Sequence, residues 1–414
     1  MEIKPAINKA LFPILLVNFI GAMGFSIVLP FMVLIVLKLG GNALVYGTLG
    51  ATYSFFQLIG APILGGWSDK FGRRKILLLS QAGTFCGWII FLIGIMLPNH
   101  FINIKIGSGF LLSIPLLLIF AGRSLDGITG GNISVANAYL ADISVKADRK
   151  KNFGKMSAAA NMGLIFGPLI AGVLGATALG NLLPVMAAAF ISLIAIVVIY
   201  YRLKDTKGDT LVEAIIIKDI TKHKLFDTLK LPFVSYFMLL YFLIFLGFNF
   251  FYVAFPVYVA GDLHWSALQI GVFFSVLSGL LVVVQGPFLS FLSKKVSSAI
   301  LVIVGSIFLC AGFVFFKYHG DVMIYSGAVF FALGNGIMWP SFLALLSNTG
   351  NEHTQGAIQG FASSAGSMAG IIGLITGGLL YHSLGANLFL FAAIFMLLIS
   401  LVSIRLIKIE KVLG

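Results

Sequence analysis

Arg123 and Asp126 stand three residues apart inside a long apolar run, residues 111–141. On a helix that spacing puts both side chains on one face, where they can pair with each other or with a polar group on a neighbouring helix. A charge at the centre of a membrane helix costs roughly 2.5–3.5 kcal/mol on insertion scales, so charges kept there are usually functional. The chemistry this pair suits is proton movement. Burial disfavours an ionised carboxylate, while an adjacent guanidinium favours it. A carboxyl balanced between the two loads and releases a proton as its exposure alternates, and protonating Asp126 frees Arg123. The competing reading is a static ion pair that orients its helix.

Four other groups of residues are candidates. Gly65-Gly-Trp-Ser-Asp69-Lys-Phe-Gly72-Arg73-Arg74-Lys75 is a charged loop between two apolar runs. There Gly65 permits close helix approach, Gly72 permits a tight turn, and Asp69 beside the basic cluster can form an ion-pair latch; the alternative is a charge cluster that only sets topology. Gly163-x-x-x-Gly167-Pro168-x-x-Ala171-Gly172 places small residues four apart, which lets backbones pack closely, around a proline that removes a backbone donor and can bend the helix. The embedded amides Asn18, Gln57, Asn249 and Gln285, with Asn132, Asn137, Asn161 and Asn335, can hydrogen-bond a substrate or join helices. Tyr241, Phe245, Phe248, Tyr252 and Phe255 form one helical face, either an aromatic wall for a substrate or a surface that meets lipid or another helix. No catalytic constellation and no metal-ligand spacing emerges: His100, His223, His264, His319, His353 and His382 are isolated. There is no phosphate-binding P-loop, so neither an enzyme nor direct ATP use is expected, and no cofactor or metal.

The elements that must position these residues are membrane helices. Of 414 residues 59% are hydrophobic and only 10% charged, against roughly 25% charged in a soluble domain. No soluble packing hides so much apolar surface behind so little polar surface; a bilayer removes the contradiction. Twelve apolar runs, each near the roughly 20 residues a spanning helix needs, cover about 11–37, 45–67, 76–97, 111–141, 155–178, 180–201, 233–260, 268–292, 299–317, 321–347, 356–381 and 385–407. The first is too long for the core of a signal peptide and is read as a retained helix. Cys86 and Cys310 both fall in apolar runs and imply no disulfide framework.

The net charge of +13 is a topology signal. With the N-terminus inside, all 27 lysines and arginines except Lys38, Lys105, Lys317 and Arg123 fall on the inner side, as the positive-inside rule requires. Both termini are then cytoplasmic, and the charge points to anionic lipid rather than to nucleic acid. The fold class is therefore an all-α membrane protein with twelve transmembrane helices in two six-helix pseudo-symmetric bundles: residues 1–201, a cytoplasmic linker 202–232 in which 209–227 could form a surface amphipathic helix, and residues 233–414. The halves repeat weakly. Pro62-Ile-Leu-Gly-Gly-Trp-Ser-Asp-Lys70 aligns with Pro287-Phe-Leu-Ser-Phe-Leu-Ser-Lys-Lys295, and Gly167–Leu174 with Gly373–Leu380. Six-helix repeats with a site between them near the midplane are a transporter architecture.

The Gly65–Lys75 loop resembles the G-x-x-x-D-[RK]-x-G-R-[RK] loop of the major facilitator superfamily, and it lies in the same place, between helices 2 and 3. The Gly163–Gly172 segment is similar to the G-x-x-x-G-P-x-x-G-G motif of drug/proton antiporters within that superfamily, with Ala171 replacing one glycine. Gly21–Pro30, Gly122-Arg123 through Asp142, and Gly336 through Gly360 resemble the bacterial tetracycline/proton antiporter branch, so the likeness covers nearly the whole chain. The resemblance implies alternating access and a latch that helps hold the outward-open state. It also implies a helix 4 arginine, here Arg123, associated with proton transfer. The cleft it implies is lined by helices 1, 2, 7 and 8, which carry Asn18, Gln57, Asn249 and Gln285.

One departure stands out. Where that branch places an aspartate at the start of the helix 1 motif, this chain has Gly21, and no Asp or Glu occurs from Ile3 to Trp67. The branch's coupling chemistry is therefore not carried over whole. The leading expectation is proton-coupled export of small amphipathic organic molecules, multidrug-type efflux by a monomer in a bacterial inner membrane, with protons and membrane lipids as further partners. A lipid or glycolipid flippase, a siderophore exporter and a metabolite symporter of the same fold remain open, as does a transporter-like receptor without a transport cycle.

Overall fold

Proline and glycine break the apolar runs where backbone hydrogen bonding fails. In the computed structural model, which describes residues 4–98, 101–104, 110–130, 132–144, 148–205, 231–349 and 355–413, the first run is two helices, α1 (Lys4–Ser26) and α2 (Leu29–Lys38). Pro30 has no N–H to give to Ser26, and the chain turns between them. The second and third runs are α3 (Ala43–Phe71) and α4 (Arg73–Met96). A short antiparallel pair follows, β1 (Phe101–Ile104) and β2 (Phe110–Ser113), with Phe101 opposite Ser113. The fourth run was expected to be helical from 111. Residues 111–113 belong to β2 instead, and the helix α5 (Ile114–Thr129) starts with Pro115 in its first turn, where a missing N–H costs nothing. It stops at Gly130, and α6 (Asn132–Ile143) completes the span. Then come α7 (Arg149–Gly175) and α8 (Leu182–Arg202).

The later spans are α9 (Val234–Val257), α10 (Ala267–Val283) with the short α11 (Leu289–Leu292), α12 (Ser298–Phe316), α13 (Asp321–Ser347), α14 (Gln355–Leu384) and α15 (Leu388–Ser403). Wider π turns at Tyr258–Asp262 and Val284–Phe288 sit beside Pro256 and Pro287, absorbing the lost hydrogen bonds. The terminal α16 (Arg405–Leu413) buries Leu406 and Ile409. Its Glu410 carboxylate accepts from the N–H groups of Ser298 (2.8 Å) and Ala299 (3.0 Å), capping the positive end of α12.

Among the described residues 9 stretches are long and apolar enough to cross a bilayer, and one of them, Ile358–Val412, holds two spanning helices, α14 and α15. The other two spans are α3 and the α5–α6 run, which is broken at Gly130, bringing the bundle to twelve transmembrane helices. Two compact units form: Met1–Asp209 with Val259–Ser275, and Thr210–Tyr258 with Val276–Gly414. Each repeats one packing scheme. In the first, α1 packs on α7 and α8, and α4 on α5 and α8; in the second, α9 packs on α14 and α15, and α12 on α13 and α15. The surface helix expected over 209–227 lies outside the described residues.

Candidate functional site

The buried charge lies in the first unit. Arg123 Nη1 donates to Asp126 Oδ2 at 3.0 Å, and the two residues are 5% and 7% exposed. The guanidinium lies over the ring of Tyr53, 4.5 Å from its centroid, a geometry that favours a cation. Thr84 of α4 lines the same space as the Asp126 carboxylate. Arg123 Nε has no hydrogen-bond partner among the described residues.

Glycines bring these helices together. A Cβ on Gly87 of α4 would meet the carbonyl oxygen of Gly122 at 2.9 Å, and one on Gly122 would meet that of Gly87 at 2.7 Å. Only a residue without a side chain allows this crossing, which sets Asp126 against α4. The break at Gly130 is also provided for. Its carbonyl, left without a helical partner, accepts from Gln57 Nε2 at 3.2 Å, and the same amide nitrogen contacts Tyr53 Oη at 3.1 Å.

Beside the ion pair a cavity of about 450 Å³ opens within the first unit, a volume in the range of small-molecule sites. Asn18, Gln57, Asn137 and Asp126 all line it, as do Gln81, Thr84 and Trp88 of α4. Asn18 also ties α1 to α7, its Nδ2 donating to the carbonyl of Met156 at 2.8 Å. The structure thus gathers Asp126, Asn18 and Gln57 around one space, with Arg123 directly behind Asp126. Gln81, Thr84 and Trp88 were not singled out in the sequence, because a lone amide, hydroxyl or indole in an apolar run has no spacing signal. Their shared i, i+3, i+7 face gains meaning only once Asp126 is known to lie opposite.

The loop between α3 and α4 holds a second charged network. Gly72 adopts a φ of +98° between α3 and α4, as a tight turn demands. Arg73 pairs with Asp69 one turn back, donates from Nε to Asp142 Oδ2 at 3.1 Å and from Nη1 to Ser68 Oγ at 2.7 Å. Arg74 holds α8 instead, with its guanidinium over Tyr200 at 5.2 Å and its backbone N–H 3.4 Å from Asp205 Oδ1. The expectation for Gly65 is corrected: a Cβ there would meet no described atom within 4 Å. Its contribution is its carbonyl, which accepts from Ser68 Oγ at 2.7 Å and so fixes the hydroxyl that holds Arg73. Asp142 and Asp205 join this network from far along the chain, which their local sequence does not disclose.

On α7 the small residues face two partners. A Cβ on Gly163 would meet the Phe19 carbonyl at 2.5 Å, and one on Gly167 the Met23 carbonyl at 2.8 Å, so this face packs on α1. Ser26 Oγ closes the contact by donating to the Gly163 carbonyl at 3.1 Å. Beyond Pro168, which sits inside an unbroken helix, Gly172 packs against Gly271 of α10, where an added Cβ would lie 3.1 Å from its Cα. Gly271 lies in the 259–275 stretch that belongs to the first compact unit.

The remaining candidates lie in the second unit. Asn249 is buried on α9, its Nδ2 donating to the carbonyl of Phe245 at 2.7 Å, while Gln285 is half-buried in the π turn before Pro287. The aromatic face of α9 divides. Tyr241 and Phe245 stack at 4.9 Å with Trp339 edge-on to both, whereas Phe255 turns into the core against Phe251 and Phe316.

Comparison with known proteins now bears on this arrangement. The family described as Major Facilitator Superfamily matches residues 14–373 and 237–412. The tetracycline resistance protein, class B, of Escherichia coli is 26% identical over 379 residues, covering 89% of this chain and 88% of that protein. Multidrug resistance protein 2 of Bacillus subtilis is 28% identical over 413 residues, covering 95% of each. Among solved structures, a D-xylose–proton symporter superposes with a TM-score of 0.76 at 15% identity, over 96% of this chain and 97% of that one, a likeness of fold.

Proposed function

Because this chain belongs to the Major Facilitator Superfamily, and is therefore an integral membrane transporter of small molecules rather than an enzyme, we propose that it exports amphipathic organic compounds in exchange for protons, by alternating access. Relatives that match most of its length carry the names of tetracycline and multidrug resistance, which supports efflux. The bodies that alternate are residues 1–201 and 233–414, joined by 202–232. It works as a monomer in a bacterial inner membrane with both termini cytoplasmic, an orientation supported by the distribution of lysine and arginine.

The observation that carries this reading is the Arg123–Asp126 pair at the edge of the cavity. A buried charge is costly, and here the costly group also borders the space a cargo would occupy. With Asp126 ionised, the salt bridge holds Arg123 against α5 and Tyr53. A proton taken up by the carboxyl removes its charge and weakens that bond, so Arg123 is free to follow a rearrangement of the unit. Loss of the proton on the other side of the membrane restores the pair. The Asp69–Arg73–Asp142 network acts as the inner latch. Gly163 and Gly167 give α7 the close packing through which it moves with α1, and beyond Pro168 Gly172 packs it on α10. Asn18 and Gln57 contact cargo in the first unit, and Asn249 and Gln285 serve that role in the second.

Proteoliposomes carrying an imposed pH gradient and an internal pH dye test this directly. Adding ethidium or tetracycline as trial cargo is expected to produce proton flux in the wild type. In Asp126→Asn, whose amide oxygen can still accept from Arg123, that flux is lost while the protein still folds, as its chromatographic behaviour shows. Full cargo-dependent proton flux in Asp126→Asn would sink the assignment.

A further inference from the structure

The chain between α11 and α12 carries a charge pattern that nothing in the second unit balances. In the alignment of Pro62–Lys70 with Pro287–Lys295, Lys294 stands where the first unit has Asp69. The first unit meets the cations of its own loop with carboxylates: Asp69 and Asp142 hold Arg73, and Asp205 lies against the N–H of Arg74. In the second unit Lys294 and Lys295 are both exposed, and Lys295 lies over the exposed ring of Phe291, 4.6 Å from its centroid. The amphipathic α16 brings three more cations to the same end. It begins where the span α15 stops and packs on α12 and α15. Leu406 and Ile409 are buried in the unit, while Arg405, Lys408 and Lys411 are exposed. Glu410 is the sole acid of this helix, and its carboxylate is engaged by the N–H groups of Ser298 and Ala299. That bond sets Lys411 beside the start of α12, about one turn of chain after Lys294 and Lys295. None of the five cations forms a salt bridge among the described residues.

We propose that Lys294, Lys295, Arg405, Lys408 and Lys411 form a binding site for the headgroup phosphate of an anionic phospholipid, in the leaflet on the side of the C-terminus. The phosphate takes the place that Asp69 and Asp142 fill in the first unit, and its oxygens accept charge-assisted hydrogen bonds from several of these side chains at once. Position selects a lipid over a soluble polyanion. The site lies at the end of a membrane span, and the apolar side chains beside its cations, Phe291, Ile404 and Val412, are themselves exposed, so acyl chains have a surface to follow. Basic residues at this depth attract anionic headgroups over a short range. A zwitterionic lipid brings its own ammonium against the lysines and gains much less. Glu410 is the positioning residue: by holding α16 to the start of α12 it joins two separate basic segments into one site.

Native mass spectrometry of the full chain, released from micelles that hold equal amounts of palmitoyl-oleoyl phosphatidylglycerol and palmitoyl-oleoyl phosphatidylcholine, tests this by counting bound lipids. Wild type is expected to bind its first phosphatidylglycerol about tenfold more tightly than its first phosphatidylcholine, the scale of a few juxtamembrane cations acting on one phosphate. Lys294→Gln, Lys295→Gln, Lys408→Gln and Lys411→Gln together remove most of that preference. Lys70→Gln with Lys75→Gln, which takes two exposed cations from the first unit, keeps it. Should the fourfold variant not fold, Lys408→Gln with Lys411→Gln is expected to lose several-fold by itself. sn-Glycerol 3-phosphate, the same phosphate chemistry without acyl chains, is expected to stay unbound at the lipid's concentration. Equal affinity for the two lipids in the wild type overturns the proposal. So does a preference that survives the substitutions on α16 and before α12, one lost equally from the first-unit pair, or glycerol phosphate bound as tightly as the lipid. The measurement uses neither cargo nor gradient, so its failure leaves the exporter reading standing, and failure of the proton-flux experiment leaves the lipid site standing.

Discussion

In the first unit α4 and α5 cross at Gly87 and Gly122, and beside the crossing lie an ion pair, an amide oxygen and an indole N–H without partners, and a cavity. In the second unit the counterpart helices α12 and α13 approach closely at two levels, Gly305–Gly334 and Gly312–Gly327. Beside those crossings lies hydrocarbon: Phe331 packs on Phe251 at 4.4 Å, Phe251 on Phe316 at 5.3 Å, and Phe313 on Phe331 at 5.9 Å. The three salt bridges formed among the described residues, at Asp69, Asp142 and Asp126, all belong to the first unit. The buried polar side chains of the second are one asparagine and a few serines. The backbone scheme is shared, so the scaffold does not decide where chemistry occurs. What differs is the side chains beside equivalent crossings. One unit concentrates the costly groups, and the other fills its interior with aromatic packing.

The sharpest way to break this comparison is to make the first unit resemble the second. Asp126→Leu alone leaves Arg123 buried and unpaired, and is expected to cost about 3–5 kcal/mol of stability. Replacing both, as Arg123→Leu with Asp126→Leu, removes the stranded charge and should recover most of that loss, since apolar substitutes for a buried pair are often neutral or stabilising. Neither variant should move cargo-coupled protons. Unfolding followed in mixed micelles measures the first effect, and the proteoliposome assay the second. A double variant as unstable as the single one would mean that the charges are tied into the fold more widely than through each other.

A second test asks whether the two units are built alike. Gly122→Val and Gly334→Val each push a branched side chain into a facing carbonyl that an added Cβ would meet at 2.7 Å. Overpacking of this kind typically costs about 1–3 kcal/mol, and similar losses are expected in both, read as shifts in thermal midpoint. A large loss in one variant and none in the other would show that the shared glycine crossings bear unequal loads.

Much of this was legible in the residues themselves, and the limits have physical reasons. The spans could be read because hydrocarbon imposes length and apolarity. Arg123 and Asp126 could be read because a charge in such a run is conspicuous. Helix breaks at Pro30 and Gly130 had local signals, proline and glycine, but whether a proline breaks a helix or merely sits in it, as Pro168 does, depends on neighbours. The aromatic face of α9 was visible as periodicity, yet periodicity cannot say that Tyr241 and Phe255 meet different surroundings. Gln81 and Trp88 were silent because their meaning is a missing partner, and a missing partner is a property of three dimensions. Asp205 was hidden among the charges of the linker, although its carboxylate lies against Gly72 closely enough that no Cβ would fit there.

The Asp69–Arg73–Asp142 network sharpens the comparison at its smallest energy. Asp69 is 59% exposed along its side chain, Asp142 31% and Arg73 15%. An ion pair so open to water contributes under about 1 kcal/mol, and salt screens it further. Asp69→Asn should therefore leave the thermal midpoint nearly unchanged, all the more because Asp142 and Ser68 still hold Arg73. A charge cluster that served only to set topology would then leave transport unchanged as well. A latch would not: losing Asp69 loosens the turn at Gly72 and alters the balance between conformations, so transport should slow several-fold at constant folding. Measuring rate and midpoint on the same preparation separates the two, because a topology signal can fail only during insertion, whereas a latch fails in a protein already folded.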